Sequence, residues 1–373
     1  MNSGAKNFSK QRLNELFKLL SEESKTYLGF PNNQHLDNED LAPFFNLVIN
    51  NIGDPFVGNL GINTCEFEVE VVKFFFNLFK LEPQNAWGYI SNGGTESNIH
   101  AFFLAREAFP TGRLFFSNNS HYSLPKTAKL LRIEPVVVNS QENGEIDYEH
   151  FGYQVDQYSD SPILFNANIG TTLKGGIDRV ERIIEILAKK RVKDFFIHCD
   201  AALFGGFLPF LKGGPVFDFQ LPVSSIAISG HKFFGSPIPC GIQIVKKEYV
   251  ERVKRKVDYI DSFDGTISGS RDGITVLILW KTIVERGIEG FTEWAESCMK
   301  NTEYAVEQLK SKDQHAYANP FSNIVVLKRP SQKIIQRWKL ASQNEISHLV
   351  IMPSVTREKI DLFVSEYSPE VLR

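Results

Sequence analysis

Cysteine and methionine are scarce in this sequence, and long apolar runs and basic clusters are missing from it. The 373 residues include four cysteines, far apart and without CxxC spacing, and three methionines. The cysteines therefore predict buried free thiols in a reducing cytoplasm rather than a disulfide framework. A net charge of −3 without a basic run argues against nucleic acid and anionic membranes as partners. Since no stretch approaches the ~18 uncharged apolar residues of a membrane span, we expect a soluble, cytoplasmic protein.

Phenylalanine, in contrast, is abundant, with 31 copies in a chain that is 42% hydrophobic. That composition predicts a rigid, aromatic interior, and the length exceeds what one hydrophobic core supports. We therefore predict a helical N-terminal arm over residues 1–50, a large domain over 51–275 and a smaller α+β domain over 276–373. The arm begins with an amphipathic helix over 9–28, expected to pack on the larger body, and a second apolar helix follows within 32–51.

Short apolar runs alternate with helical patterns through the large domain. PVVVN (135–139), PILFNANI (162–169), KDFFIHCDA (193–201) and SSIAISG (224–230) are typical of strands buried on both faces. The alternation of strands and helices predicts an α/β domain with a mostly parallel central sheet. Two long helices and a few late strands follow residue 275.

A glycine turn opens one of the predicted helices. In ISNGGTESN (90–98) a strand runs into Gly93 and Gly94, and a Thr-Glu-Ser helix start follows. Such a turn aims several backbone N–H groups and the helix dipole at an anion such as a phosphate. The same residues are also typical of an ordinary strand-to-helix turn with a threonine cap, so both interpretations stay open.

Single polar residues stand at the ends of three other predicted strands: His121, Asp200 and Lys232. Ligands bind at the carboxyl ends of strands in open α/β sheets, which favours a functional interpretation. Each residue also has a structural alternative. The histidine could be a satisfied structural residue, the aspartate a helix cap, and the lysine a stem that lies over the core with its ammonium in water.

Chemistry links these residues. Lys232 lies among apolar neighbours in SGHKFFGSP (229–237), and a desolvated lysine is partly a neutral amine that forms an imine with an aldehyde. Asp200 is followed by Ala201 and Ala202, which leave room for a flat cation. His198 and Cys199 point to opposite faces of a strand, so they share no metal. The phosphate turn, the histidine, the carboxylate and the amine, in this order, describe a site for pyridoxal 5′-phosphate.

The sequence resembles the second group of pyridoxal-phosphate-dependent amino-acid decarboxylases, and most closely the short bacterial histidine decarboxylases and plant serine decarboxylases. The resemblance covers nearly the whole chain and rests on WGYISNGGTESN, SHYSLPKTAKLLRI, NGEIDY, NIGTTLKGGID, HCDAALFGG, SGHKFFGSPIPCG and TISGSRDG. It implies the aspartate-aminotransferase-like fold (fold type I) and a homodimer with active sites at the interface.

The resemblance also implies roles for individual residues. Lys232 would bind the cofactor aldehyde, Asp200 would pair with the pyridine nitrogen, and Ala202 would pack under the ring. His121 would stack on the opposite face, near the substrate carboxylate. The phosphate would be surrounded by Gly94, Thr95, Ser229 and His231. Thr171 or Thr172 would lie near the ring substituents, and TISGSRDG (266–273) would reach the phosphate of the neighbouring subunit.

The implied reaction is decarboxylation of L-histidine to histamine and carbon dioxide. The shared motifs leave open L-serine decarboxylation to ethanolamine, and a carbon–carbon lyase acting on a phosphorylated amine. The substrate side chain is expected to meet the partner chain and an N-terminal group of residues: Phe30, Pro31, Asn32, Asn59 and Asn63. Larger family members carry a mobile loop with a catalytic tyrosine where this chain has only VDYIDSFDG (257–265). We therefore interpret Tyr259 as a packing residue at the domain junction rather than a proton donor.

Overall fold

The computed structural model describes residues 3–57 and 61–369. The α-helices in these ranges are α1 Ser3–Ser24, α2 Cys65–Leu78, α3 Gly94–Ala108, α4 Ser123–Leu131, α5 Tyr148–Gln157, α6 Val180–Lys189, α7 Lys247–Val250, α8 Gly273–Lys310, α9 Gln332–Trp338 and α10 Arg357–Glu366. The strands are β1 Asn50–Asn51, β2 Ala86–Ser91, β3 Arg113–Ser117, β4 Pro135–Val138, β5 Ile163–Asn168, β6 Phe195–Asp200, β7 Ser225–Ser229, β8 Gly241–Lys246, β9 Arg255–Val257, β10 Ser262–Asp264, β11 Arg271–Asp272, β12 Tyr317–Ala318, β13 Ile324–Lys328, β14 Ala341–Gln343 and β15 Ile346–Val350.

A seven-stranded sheet in the order β2-β8-β7-β6-β5-β3-β4 forms the centre of the molecule. β8 runs antiparallel to both β7 and β2, whereas the other neighbouring pairs are parallel. The prediction of an α/β fold with a mostly parallel central sheet is therefore confirmed. β8 itself was not predicted, because its short apolar run follows directly on a turn rich in glycine and proline.

Helices cover both faces of this sheet. Trp87 and Tyr89 of β2 belong to an apolar cluster with α3, whereas Ile90 belongs to the main core together with α2. This alternation follows from the period of two in a strand, which sends neighbouring side chains to opposite faces. The main core contains many phenylalanine rings, and Phe234 packs edge-on against both Phe75 and Phe291. The expected aromatic interior is thus present.

A second, antiparallel sheet in the order β12-β13-β15-β14 lies in the C-terminal part of the chain. The two long helices predicted there form the two halves of α8, which is broken at Gly287 by a non-helical conformation with φ 59°. α8 runs through residue 275 without a break at that point. The division into parts at residues 50 and 275 accordingly stays a proposal.

The N-terminal region differs from the expectation. The predicted helix within 32–51 is a 3₁₀ helix at Glu39–Asn46, because Pro43 inside it has no N–H for an α-helical hydrogen bond. α1 exposes its apolar stripe: Leu13 is 66% and Phe17 72% exposed to solvent. Within the described residues of this chain the stripe stays uncovered, so the expected packing of the arm on a larger body stays a prediction. None of the helices in the described ranges has the length and apolar character to cross a membrane.

Candidate active site

The candidate site lies where several strands of the central sheet end. β5, β6 and β7 run parallel and end at Asn168, Asp200 and Ser229. β2 runs in the same direction as β7, since both are antiparallel to β8, and it leads through Gly93 into α3. Parallel strands bring their carboxyl ends to one edge, so residues far apart in the sequence meet there.

A cavity of about 240 Å³ opens at this edge. The residues expected to bind the cofactor all line it, with both of the alternative threonines: Gly94, Thr95, His121, Thr171, Thr172, Asp200, Ala202, Ser229, His231 and Lys232. The structure therefore brings the residues expected around the cofactor together in one cavity. In the described part of the chain, no group of three or more histidine, cysteine, aspartate or glutamate side chains is arranged to hold a metal ion.

The start of α3 forms a narrow cradle for an anion. Gly93 has φ 149°, a backbone conformation that residues with a Cβ atom rarely adopt. Because Gly93 has no side chain, it does not cap the N–H groups of the first turn of α3. A Cβ atom on Gly94 would lie 2.7 Å from Oγ of Ser229. The backbone N–H groups and the serine hydroxyl thus converge with the positive end of the helix dipole, which is the donor set that a phosphate needs.

Lys232 lies three residues beyond the end of β7, in the turn that leads to β8. Its backbone is held in place because Asn33 donates from its backbone N–H to the Lys232 carbonyl (3.2 Å) and from Nδ2 to the carbonyl of Phe233 (2.9 Å). Burial lowers the pKa of the lysine, although the negative charge of Asp200 pulls it back up. The amine is therefore closer to its neutral, nucleophilic form than an exposed lysine.

Asp200 is only 7% exposed and accepts a hydrogen bond from Nδ2 of Asn98 at 2.9 Å. A buried carboxylate of this kind suits a nearby cation such as a protonated pyridine nitrogen. His121 accepts at Nδ1 from the backbone N–H of Ser123 (3.3 Å), and the hydroxyl of Ser123 lies 2.9 Å from the same nitrogen. Burial lowers the pKa of His121, which keeps the ring mostly neutral.

The loop after β5 closes another side of the cavity. Gly170 has φ 97°, and a Cβ atom there would lie within 2.9 Å of the Phe204 ring, so only glycine fits. Oγ1 of Thr171 accepts from the backbone N–H of Gly176 (2.9 Å), which fixes the loop beside the cavity. Nδ1 of His231 lies 2.9 Å from the Cys240 carbonyl, across the turn that carries Lys232.

The expected side-chain pocket is present only in part. Phe30 and Pro31 line the cavity, whereas Asn32 lines a neighbouring cleft and Asn63 bonds to the carbonyl of Gly61. Asn59 lies outside the described residues. Tyr259 is 85% exposed, so its interpretation as a packing residue of this chain is wrong. It stands in a surface turn that ends in the left-handed Asp261.

Sequence reasoning also missed residues that line the cavity. Asn98 lies one turn after Gly94 on the same face of α3, so the helical period alone predicts its position. Asn168 ends β5 and donates from Nδ2 to the buried Asp178 (3.0 Å). His348 reaches the site from β15 in the second sheet, and no sequence signal connects that strand with the turn of Lys232.

The TISGSRDG segment lies against the start of α3 of its own chain. Ser268 donates from Oγ to Oε2 of Glu96 (2.8 Å) and accepts from Nδ2 of Asn92 (3.0 Å). This places the segment beside the anion cradle. The expected contact with the phosphate of a neighbouring subunit stays a proposal.

Comparisons with known proteins agree with this geometry. The family described as "Pyridoxal-dependent decarboxylase conserved domain" matches residues 63–326. Serine decarboxylase 1 of Oryza sativa subsp. japonica is 42% identical over 93% of this chain and 73% of its own length. Histidine decarboxylase of Mesorhizobium japonicum is 40% identical over 96% of this chain and 97% of its own.

A solved structure is similar over nearly the same range. L-methionine decarboxylase from Streptomyces sp. 590 superimposes with a TM-score of 0.89 at 26% identity, and the match covers 96% of this chain and 94% of that one. The expected cofactor fits the donor set described above, and decarboxylation is the reaction that the description of the matching family names. The chain therefore belongs to the pyridoxal-dependent decarboxylases and is a pyridoxal-phosphate-dependent amino-acid decarboxylase.

Proposed function

We propose that this enzyme decarboxylates L-histidine to histamine and carbon dioxide. The apolar wall of the cavity is the observation that carries this choice: it is formed by Phe30, Pro31, Leu203, Ile324 and Val350. A flat imidazole ring covers such a wall, whereas a serine hydroxymethyl group leaves most of it uncovered. His348 belongs to the same lining, with its two ring nitrogens directed at the backbone carbonyls of Leu173 (3.3 Å) and Gly29 (3.0 Å).

The residues at the sheet edge divide the chemical work. When bound, pyridoxal phosphate would supply an aldehyde for amino groups and a protonated ring that delocalises the electron pair left on Cα when carbon dioxide departs. In this proposal Lys232 is the amine that holds the cofactor between turnovers. Its burial and lowered pKa support that role, because an ammonium group cannot act as a nucleophile.

Asp200 and His121 act on the ring and the substrate. We assign to Asp200 the task of keeping the pyridine nitrogen protonated, since its carboxylate is buried and needs a positive partner. His121 and Ala202 line the same cavity, and in this assignment His121 would stack on one face of the ring, near the substrate carboxylate, with Ala202 under the other face. With Nδ1 occupied by Ser123, the neutral His121 ring carries its proton on Nε2, which can donate to that carboxylate.

The phosphate is assigned to the cradle at the start of α3. Gly94 and Thr95 present backbone N–H groups, and Ser229 and His231 add side chains from the end of β7 and the turn after it. Thr171 or Thr172 would lie near the ring substituents, since both line the cavity. These contacts would fix the plane of the ring, so that the bond to be broken can stand perpendicular to it.

We further propose a cytoplasmic homodimer in which TISGSRDG of one subunit reaches the phosphate in the other. The exposed apolar stripe of α1 supports dimerisation, because Leu13 and Phe17 would otherwise remain in water. All four cysteines are free and buried, which agrees with a reducing compartment.

Serine decarboxylation is the second candidate, since serine decarboxylase 1 of Oryza sativa is among the similar relatives. A carbon dioxide release assay over the twenty amino acids, with pyridoxal phosphate added, separates the two. We expect histidine to respond most strongly and to yield histamine, with Lys232→Ala as the inactive control. Release from serine but not from histidine would overturn the proposal, and equal activity of Lys232→Ala would overturn the role of the lysine.

A further inference from the structure

A chain of buried polar side chains runs behind the active site. It joins residues from three elements, α3, β6 and β7, with one from the start of α4. Each member is at most 2% exposed: Asn98, Ser123, His198 and Ser225. His198 and Ser225 face each other across the neighbouring strands β6 and β7.

The direction of each hydrogen bond follows from the carboxylate at one end. Asp200 in its ionised form only accepts, so Asn98 must turn Nδ2 toward it, at 2.9 Å. The amide oxygen of Asn98 then faces Nε2 of His198 at 2.9 Å, and that nitrogen must carry the proton. Nδ1 of His198 is left as the acceptor for the hydroxyl of Ser225 at 2.8 Å.

The same amide reaches the second functional side chain. Nδ2 of Asn98 also donates to Oγ of Ser123 at 3.0 Å. Because this lone pair of Ser123 is occupied, the serine proton is free to point at Nδ1 of His121, 2.9 Å away. Asp200 and His121 are thereby connected through Asn98 and Ser123.

Electrostatics keep the interior of the chain neutral. Burial lowers the pKa of His198 to about 4, although the charge of Asp200 pulls it up. A neutral imidazole with a fixed tautomer can hold Asn98 in one orientation, whereas a titrating one could not.

We propose that Asn98, oriented by His198 and Ser225, is a positioning residue that aims the Asp200 carboxylate at the pyridine nitrogen and directs the Ser123 proton to His121. This inference rests on the roles proposed for Asp200 and His121. It adds a reason why α3 carries an asparagine one turn after the glycine cradle: a side chain that is both donor and acceptor is needed between a carboxylate and an N–H group.

The test combines spectroscopy with matched variants of the holoenzyme. In protein labelled with ¹⁵N-histidine, long-range ¹H–¹⁵N correlations identify the tautomer of each ring, and His→Gln variants assign the signals. We expect neutral Nε2–H rings for His198 and His121. A charged ring or an Nδ1–H tautomer at His198 would overturn the inference. This readout needs no substrate, so it is independent of whether histidine is the amino acid consumed.

The second part of the test measures kcat and KM with the amino acid from which the enzyme releases carbon dioxide. Asn98→Leu removes a hydrogen bond to a charged group and should lower kcat by about tenfold to a hundredfold, with a smaller change in KM. It should also shift the pH titration of the cofactor absorbance, since Asp200 is no longer held. An unchanged kcat and titration would refute the positioning role.

A variant pair at His198 keeps the test decisive if Asn98→Leu does not fold. His198→Gln places an amide donor where Nε2–H stands, whereas His198→Leu removes it. We expect the leucine variant to lose at least about threefold more kcat than the glutamine variant. Equal kcat and equal cofactor titration in the pair would overturn the proposal. His100→Leu, a change at an equally buried histidine on α3 whose Nε2 contacts the Gly265 carbonyl, controls for lost packing and should leave both histidine signals in place.

Discussion

A methyl group at Gly94 tests the anion cradle directly. The Cβ atom of Gly94→Ala would lie 2.7 Å from Oγ of Ser229, well inside the 3.4 Å at which ordinary contact begins. The backbone of Gly94 is helical, so alanine is strained by this contact and not by its φ angle. Overpacking of this kind costs about 1–3 kcal/mol. If the cost falls on the loaded cradle, the Kd for pyridoxal phosphate rises by about 5-fold to 150-fold.

The assay is a titration of the cofactor-free protein with pyridoxal phosphate, followed by absorbance. Gly152→Ala in α5 is the matched control, because its Cβ atom would find its nearest neighbour at an ordinary 3.7 Å. That variant should bind the cofactor like the unmodified protein. Ser229→Ala removes the atom that Gly94→Ala would strike. The penalty of Gly94→Ala should therefore be smaller when Ser229→Ala is present, which is non-additivity from direct contact.

Two results would refute this reasoning. A Kd for Gly94→Ala within about twofold of the unmodified value would mean that the crowding at Gly94 does not act on the bound phosphate. An equal penalty in the presence and absence of Ser229→Ala would mean that the serine hydroxyl is not the group that limits space at Gly94.

Three further predictions follow from the site, the core and α1. Asp200→Asn should lower kcat by about a hundredfold or more, because a neutral amide cannot hold the pyridine nitrogen protonated, and steady-state kinetics that show full activity would contradict this. Burial lowers the pKa of His100 and of His198 to about 4, below the 6.5 of an exposed histidine, so the folded state binds fewer protons and stability is lost as the pH falls from 6.5 toward 4. Each histidine contributes about 3 kcal/mol to this loss. The urea midpoint of His100→Gln should therefore fall less than that of the unmodified protein between pH 7.5 and pH 5. Equal decreases in the two proteins would contradict the prediction. Leu13→Glu combined with Phe17→Glu should convert the proposed dimer to monomers in sedimentation velocity, whereas an unaltered dimer would exclude α1 from the interface.

The site was accessible from the sequence because its parts lie at the ends of periodic elements. Asp200 ends a buried, mainly apolar strand, and the Gly93-Gly94 turn stands between a strand and a helix, so local patterns predict their positions. Parallel strands then bring these ends to one edge without further information. The chemical properties of the lysine, the carboxylate, the histidine and the glycine turn then indicated a pyridoxal-phosphate site.

Other features depend on contacts that no local pattern records. His348 lines the cavity because β15, its strand, pairs with β13 in the second sheet. Its Nε2 atom lies 3.0 Å from the carbonyl oxygen of Gly29, a residue 319 positions away in the sequence. The apolar stripe of α1 follows from its periodicity, but periodicity does not say which surface covers an apolar face, and in this chain the stripe is exposed. β8 was missed because a strand of six residues that follows a turn looks like the end of that turn.

The reversal of direction between β7 and β8 has a consequence for the repeated use of Lys232. Both flanking strands are fully built into the sheet, and Asn33 holds the backbone of the turn on its other side. In its proposed role, the amine of Lys232 would move away from the cofactor and return by rotation of the lysine side chain, while the backbone of the turn stays in place. Its local concentration near the substrate therefore remains high throughout a cycle, and effective molarities of about 10⁵ M or more are reached when reacting groups are tethered with correct orientation. The turn thus favours rapid restoration of the resting enzyme after each product leaves.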